Sequence, residues 1–204
     1  TFSDLLLTLP SVLWFYVSQW LFPIRFSESY DLAVRTGWDL AHVLVPLAAL
    51  AAMAGVLWLL RRKLGTRELL FALAATAFPL LPVLYIPVFS AGELVHDRYA
   101  YLPGFGGALL VALALQNLCR GRMVLGVPRR LLFGLLAIVV PLSYSTANAS
   151  SYWVNDYTLF EHAHRIAPEN ILAKCNYAVE LARNGENGAG LLMLQSLVEE
   201  HPSY

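Results

Sequence analysis

Five long apolar stretches dominate this chain, and none of them contains Asp, Glu, Lys or Arg. They cover residues 5–24, 40–60, 69–90, 99–119 and 131–149. A helix needs about 20 mostly apolar residues to cross the hydrocarbon core of a bilayer. The composition agrees, since 58% of the 204 residues are hydrophobic and only 14% are charged. We therefore predict an all-α membrane domain over residues 1–149, with about five transmembrane helices.

Prolines interrupt several of these stretches. In water an internal proline breaks a helix, whereas in a membrane bundle neighbouring helices can satisfy the freed carbonyl groups. Pro79 and Pro82 lie three residues apart near the end of the third stretch. Their spacing predicts a kink there.

The distribution of basic residues predicts the orientation. Eight of the 14 Lys and Arg residues lie in the loops that follow the second and fourth stretches. The positive-inside rule assigns both loops to the cytoplasmic side. The alternate connections, residues 25–39 and 93–98, and the tail then lie outside. Residues 25–39 are interpreted as an amphipathic segment in the membrane interface, although such a loop could also close over an active site.

Charged residues return in the tail, residues 150–204. Pro168 and Pro202 are 34 residues apart, which is the period of tetratricopeptide repeats. In that register Ala178 and Gly190 fall on positions that need small residues. We predict the start of a tetratricopeptide solenoid that continues past Tyr204, because so few repeats cannot bury a solenoid core. The alternative is a generic helical hairpin.

The segment HDRYAYLP, residues 96–103, lies where an apolar stretch meets water. A guanidinium at a membrane surface is always charged and offers forked donors, so Arg98 is suited to a lipid phosphate. The alternative is an ordinary interfacial belt, in which Arg98 reaches the headgroups beside Tyr99 and Tyr101.

The same segment resembles the E-R-Y-x-Y-L-P-S pattern of the transmembrane and tetratricopeptide-repeat O-mannosyltransferases and their bacterial relatives, which are membrane glycosyltransferases of the GT-C type. Asp97 stands where the pattern has Glu, and Gly104 replaces Ser. The five matching residues are Arg98, Tyr99, Tyr101, Leu102 and Pro103. The order of parts, membrane helices followed by repeats, is also similar over the whole chain.

The resemblance implies transfer of a sugar, in the best-known members mannose, from a polyprenyl-phosphate donor to Ser or Thr of a protein outside the cytoplasm. Arg98, Tyr99 and Tyr101 would bind the lipid phosphate, with Glu93, His96 and Asp97 in support. The catalytic base would be an acidic residue in the first outer loop of the whole protein, which this sequence does not contain. No cofactor and no metal is expected, and the catalytic residue stays unassigned.

Other functions are weaker interpretations. A membrane-anchored repeat scaffold that binds partner proteins needs fewer apolar helices than this chain has. A transporter would place ionisable residues near the bilayer midplane, where these stretches have none. With 14 basic and 14 acidic residues, nucleic-acid binding has no electrostatic support. Cys119 and Cys175 are expected on opposite sides of the membrane, which excludes a disulfide between them.

Overall fold

The computed structural model describes residues 2–86, 89, 93–116, 122–124 and 126–202. Predictions for residues 117–121, including Cys119, and for Tyr204 lie outside the described residues. The described chain forms eight α-helices and a hairpin of two short strands, Met123–Val124 and Val127–Pro128. The predicted all-α class is confirmed. The helices are α1 Phe2–Leu21, α2 Val45–Leu64, α3 Thr66–Ala77, α4 Tyr101–Gln116, α5 Arg129–Tyr152, α6 Asp156–Ile166, α7 Ile171–Arg183 and α8 Asn187–Glu200.

Three helical stretches among the described residues are long and apolar enough to cross a membrane. They are Leu40–Leu64, which joins a π-helical turn to α2, Asp97–Gln116, which joins a 3-10 turn to α4, and Arg129–Tyr152, which is α5. Almost none of their apolar surface is buried within the chain. Water is a poor solvent for such surfaces, so they fit a lipid environment.

Helix α1 buries one of its faces against the rest of the chain. Thr8, Val12, Tyr16 and Gln19 recur at helical spacing along that face and are all buried. Val12 and Tyr16 belong to a core that also contains Tyr30, Leu80, Val83, Ile86, Leu94 and Val95. This core packs against the segment of residues 96–103, called the charged segment below. Helix α1 and the loop after it therefore position the candidate site in that segment.

The third apolar stretch is helical over a shorter range than residues 69–90. Helix α3 ends at Ala77, a 3-10 turn follows over Phe78–Leu80, and the next residues form turns. Pro79 and Pro82 have no N–H to donate, and their rings crowd the preceding helical turn. The two prolines thus end the helix, whereas the sequence suggested a kink within it. Leu80 and Val83 are thereby buried in the core.

Two glycines determine how α3 is placed next to its neighbours, Gly65 in the turn from α2 and Gly106 at the contact with α4. Gly65 has φ of +87° and joins α2 to α3 in a sharp turn, a conformation that favours glycine. A Cβ at Gly106 would overlap the side chain of Thr76 and the carbonyl of Ala72. Helices α3 and α4 therefore pack with their backbones in contact.

The tail forms an antiparallel hairpin of α7 and α8. Gly185, with φ of +94°, lies in the turn between them. A Cβ at Gly190 would crowd the carbonyl of Ala178, which is itself fully buried. Small residues at both positions let the two helices pack closely. The assignment of this hairpin to a tetratricopeptide repeat stays a prediction.

Candidate functional site at the charged end of the membrane helices

The charged segment forms a 3-10 turn, Asp97–Ala100, which leads directly into α4. His96 precedes the turn in an extended conformation and is buried. Asp97 occupies the first turn, where exposed backbone N–H groups favour a negative charge. The sequence of the segment therefore brings one carboxylate and one guanidinium, on consecutive residues, to the end of an apolar helix.

The carboxylate of Asp97 is held by side chains from two other parts of the chain. The hydroxyl of Tyr30 lies 2.8 Å from both carboxylate oxygens. The side-chain amide of Gln19 lies 3.3 Å from the same carboxylate. Because its two N–H groups also face Tyr30 and Arg25 at 3.0 Å, this contact is the weakest of the three and Tyr30 is the main donor to Asp97. Because a charged acceptor forms the stronger hydrogen bond, the hydroxyl proton of Tyr30 is assigned to Asp97 rather than to the carbonyl of Arg25, 2.9 Å away.

Tyr30 is itself fixed by several contacts. Its side chain is 8% exposed, and its ring packs edge-on against Phe15 with 4.6 Å between centroids. Its hydroxyl oxygen accepts from the backbone N–H of Ser27 at 2.9 Å and from Gln19 at 3.0 Å. Burial, and then the negative charge of Asp97, raise the pKa of the Tyr30 hydroxyl well above its ordinary value. Tyr30 therefore stays protonated and remains a donor to Asp97.

Arg98, the adjacent residue, is exposed. Its guanidinium carbon lies 5.2 Å from the centroid of the Tyr99 ring, a cation–π contact. No carboxylate in the described part of the chain lies within ion-pair distance of it. The guanidinium is thus oriented by an aromatic ring and keeps its N–H donors available for another acceptor.

The other predicted site residues take different positions. The His96 ring meets Tyr99 edge-on at 5.7 Å, Glu93 is half-buried, and the Tyr101 side chain is 81% exposed at the start of α4. The structure thus brings His96, Arg98 and Tyr99 together. Asp97, which was predicted to orient Arg98, bonds Tyr30 and Gln19. The roles of all six residues toward a ligand stay predictions.

The tail contacts the loop that carries Tyr30. The buried side chain of Asn170 donates to the backbone carbonyl of Tyr30 at 3.1 Å. The backbone N–H of Glu169 donates to the Asp31 carboxylate at 3.2 Å. A ring nitrogen of His162 lies 2.9 Å from the carbonyl of Phe26. Residues 25–39, the charged segment and the tail therefore lie at the same end of the membrane helices.

Sequence reasoning missed Gln19, Tyr30 and Asn170 as parts of this arrangement. Gln19 offered a signal, because it is a strongly polar side chain inside an otherwise apolar stretch. Tyr30 resembled any interfacial aromatic, and Asn170 resembled an ordinary helix cap. Asn170 is indeed the N-cap of α7, since its side chain accepts from the N–H of Ala173.

Metal binding has no geometric basis in the described part of the chain. No group of three or more His, Cys, Asp or Glu side chains there could hold a metal ion. Cys175 carries a free thiol and is half-buried. The side chains at the charged end supply a guanidinium, carboxylates, phenol groups and the imidazole of His96.

Comparison with curated proteins finds similar sequences in two organisms. The protein O-mannosyl-transferase TMTC1 of Mus musculus is 24% identical over 178 residues, which is 84% of this chain and 18% of the mouse protein. TMTC1 of Homo sapiens is 24% identical over 173 residues, 84% of this chain and 19% of the human protein. This chain is therefore similar to proteins that are named as TMTC O-mannosyl-transferases. The resemblance predicted from the sequence is confirmed.

The chain spans less than a fifth of the length of these TMTC1 relatives. No protein-family model matches it. No solved structure matches it either. The similarity to TMTC1 and the three apolar helical stretches together support a membrane protein.

Proposed function

We propose that the full-length protein containing this chain is an integral-membrane glycosyltransferase. It moves a sugar, which we take to be mannose, from a polyprenyl-phosphate donor to Ser or Thr of a protein outside the cytoplasm. Support at the family level comes from the relatives, which are named protein O-mannosyl-transferases. The described residues supply a site suited to the phosphate of the donor.

The exposed guanidinium of Arg98 carries this proposal. When the sugar is transferred, the carrier leaves as a lipid phosphate whose negative charge increases in the transition state. A planar guanidinium can donate two parallel hydrogen bonds to such a group. Because the group is positioned before the reaction begins, it stabilises the developing charge with little reorganisation.

Two tyrosines are proposed to complete the site. Tyr99 lies against the guanidinium of Arg98 and restricts its orientation. Tyr101 is exposed at the start of α4, so its ring is available to the carrier lipid at the interface. His96 supports Tyr99 from the buried side. The catalytic base is not assigned to any residue of this chain.

The proposed topology puts the site on the outer side. The apolar stretch that ends in α2 runs from Leu40 to Leu64, about 37 Å at 1.5 Å per residue. It therefore separates the outer loop from the basic cluster Arg61–Lys63 by a bilayer thickness. With that cluster in the cytoplasm, the multi-pass chain presents the charged segment and the tail outside. A tetratricopeptide array in the tail would then bind the acceptor protein near the donor.

The test uses the full-length protein in membranes, with labelled polyprenyl-phosphate mannose and a Ser/Thr peptide. We expect Arg98→Ala and Arg98→Lys both to reduce transfer by about tenfold or more, since an ammonium cannot reproduce the guanidinium fork. Arg129→Lys is the matched control. Arg129 is also exposed at the start of an apolar helix, with its guanidinium 5.4 Å from the Phe133 ring.

Two outcomes separate the alternatives. Full activity of Arg98→Lys would contradict the phosphate role and leave Arg98 as an interfacial anchor. Absence of transfer from any polyprenyl-phosphate donor, with peptide binding retained by the full-length protein, would favour a membrane-anchored scaffold.

A further inference from the structure

Asp97 and Arg98 carry opposite charges on consecutive residues, yet they do not pair. Paired with its neighbour, Arg98 would offer fewer donors to an anion, since a carboxylate and a phosphate compete for the same guanidinium fork. The structure instead directs the Asp97 carboxylate to Tyr30 and Gln19. Consecutive side chains on a helical turn point in different directions, and the bonds of Asp97 to Tyr30 and Gln19 fix the direction of the carboxylate away from Arg98.

Further contacts of Gln19 and Tyr30 explain why the Asp97 carboxylate stays in place. The amide of Gln19 bonds the carbonyl of Arg25 at 3.0 Å as well as the Tyr30 hydroxyl. The Tyr30 backbone is bonded to the buried amide of Asn170. The two donors to Asp97 are therefore fixed from α1 on one side and from the tail on the other. A preorganised donor loses little entropy when it binds its acceptor.

We propose that Tyr30 and Gln19 are positioning residues that hold Asp97 away from Arg98 and so leave the guanidinium available to the donor phosphate. The inference rests on the proposed function and adds how the phosphate site is kept open. Neither residue touches the donor. Each acts on binding through the carboxylate of Asp97, and their effect falls on affinity for the donor rather than on the chemical step.

The inference predicts a specific pattern of suppression. Tyr30→Phe keeps the buried ring and removes the hydroxyl donor, which frees the Asp97 carboxylate to pair with Arg98. Asp97→Asn keeps the shape and removes the charge that competes for the guanidinium. If competition is the cause, the double variant Tyr30→Phe/Asp97→Asn recovers donor binding, although it has lost more native hydrogen bonds than Tyr30→Phe alone.

The experiment measures KM for polyprenyl-phosphate mannose and kcat in the full-length protein, together with the Kd of a fluorescent polyprenyl phosphate. We expect Tyr30→Phe to raise KM and Kd by about tenfold, the effect of one charge-assisted hydrogen bond, with kcat within about twofold of wild type. The double variant should recover most of the increase in KM and Kd that Tyr30→Phe causes. Tyr177→Phe, which removes a tyrosine hydroxyl in α7, controls for loss of such a group elsewhere.

Each contrary result identifies what has failed. A Tyr30→Phe variant with wild-type KM and Kd would overturn the inference. A raised KM that Asp97→Asn does not restore would also overturn it, because it would show a merely structural role for the hydroxyl. Full transfer activity of Arg98→Lys would overturn the phosphate role of Arg98 and this inference together, although the protein would still be a glycosyltransferase. Absence of transfer from any polyprenyl-phosphate donor in the wild type would overturn the proposed function. Loss of transfer in Arg98→Lys with no effect of Tyr30→Phe would overturn the inference alone.

Discussion

The side-chain amide of Asn170 and the backbone carbonyl of Tyr30 are joined by a buried hydrogen bond of 3.1 Å, although 140 residues separate them in the chain. The bond ties the first residue of the tail hairpin to the loop beneath it. Since Tyr30 also bonds Asp97, the tail is connected to the candidate phosphate site through one residue. The tail is therefore part of the site's support as well as a separate helical unit.

Replacing Asn170 by Ala should loosen this connection. The change removes both the bond to Tyr30 and the cap of α7, and we expect the free energy of unfolding to fall by about 1–3 kcal/mol. Hydrogen exchange should increase in residues 25–35 as well as in α7. Asn155→Ala is the control, because Asn155 caps α6 through the N–H of Thr158. If both variants leave exchange in residues 25–35 unchanged, the docking of the tail on the loop is not energetically important.

Gly106→Ala should separate α3 from α4. The added methyl group would overlap Thr76 and the carbonyl of Ala72, and forced overpacking costs about 1–3 kcal/mol. The expected result is a lower Tm in detergent. Gly55→Ala is the matched change in α2, where a Cβ meets nothing within 4 Å, so the higher helix propensity of alanine should leave Tm unchanged or raise it. Equal Tm values for the two variants would contradict the close packing.

His164 should make the stability of the tail depend on pH. Burial, and then the positive charge of Lys174, lower the pKa of His164 in the folded state, with a smaller opposing effect of Asp31. The unfolded chain then binds more protons than the folded chain as the pH falls through the ordinary histidine range, so acid destabilises the fold. Its buried Nδ1 has no hydrogen-bond partner among the described residues, so a proton there would be poorly satisfied.

Hydrogen exchange of α6 and α7 at about pH 7.5 and about pH 5.5 measures this effect. Protection should fall at the lower pH in wild type and change less in His164→Asn. His201→Asn serves as the comparison, because His201 is exposed at the end of α8. The same loss of protection in all three proteins would assign the pH effect to another group.

Cysteine labelling should reveal the proposed topology. In a variant with Cys119 and Cys175 replaced by Ser, a membrane-impermeant maleimide added from outside should react with Thr36→Cys and not with Arg62→Cys. Both positions are exposed in the structure, so accessibility differs only if the membrane separates them. Permeabilised membranes supply the control, since both cysteines should then react. Labelling of Arg62→Cys from outside in intact membranes would reverse the proposed orientation.

The sequence by itself determined the class of the protein, the apolar stretches and the position of the charged segment among them. These features are local, because an uncharged run of sufficient length has few stable states other than a helix in lipid. Pro79 and Pro82 likewise indicated a disruption near the end of the third stretch. The burial of Leu80 and Val83 in the core beyond the end of that helix is shown by no local pattern.

Only the tertiary structure decided the partners of the candidate site. Asp97 bonds a tyrosine 67 residues away, and Arg98, the nearest cation in sequence, is left unpaired among the described residues. Sequence spacing suggests pairs that share a helical face, whereas this pair requires α1, the loop over residues 25–39 and the turn before α4 to meet. The residue types of the site could therefore be predicted from the sequence. Which charged group pairs with which partner depended on packing between segments that are far apart in sequence.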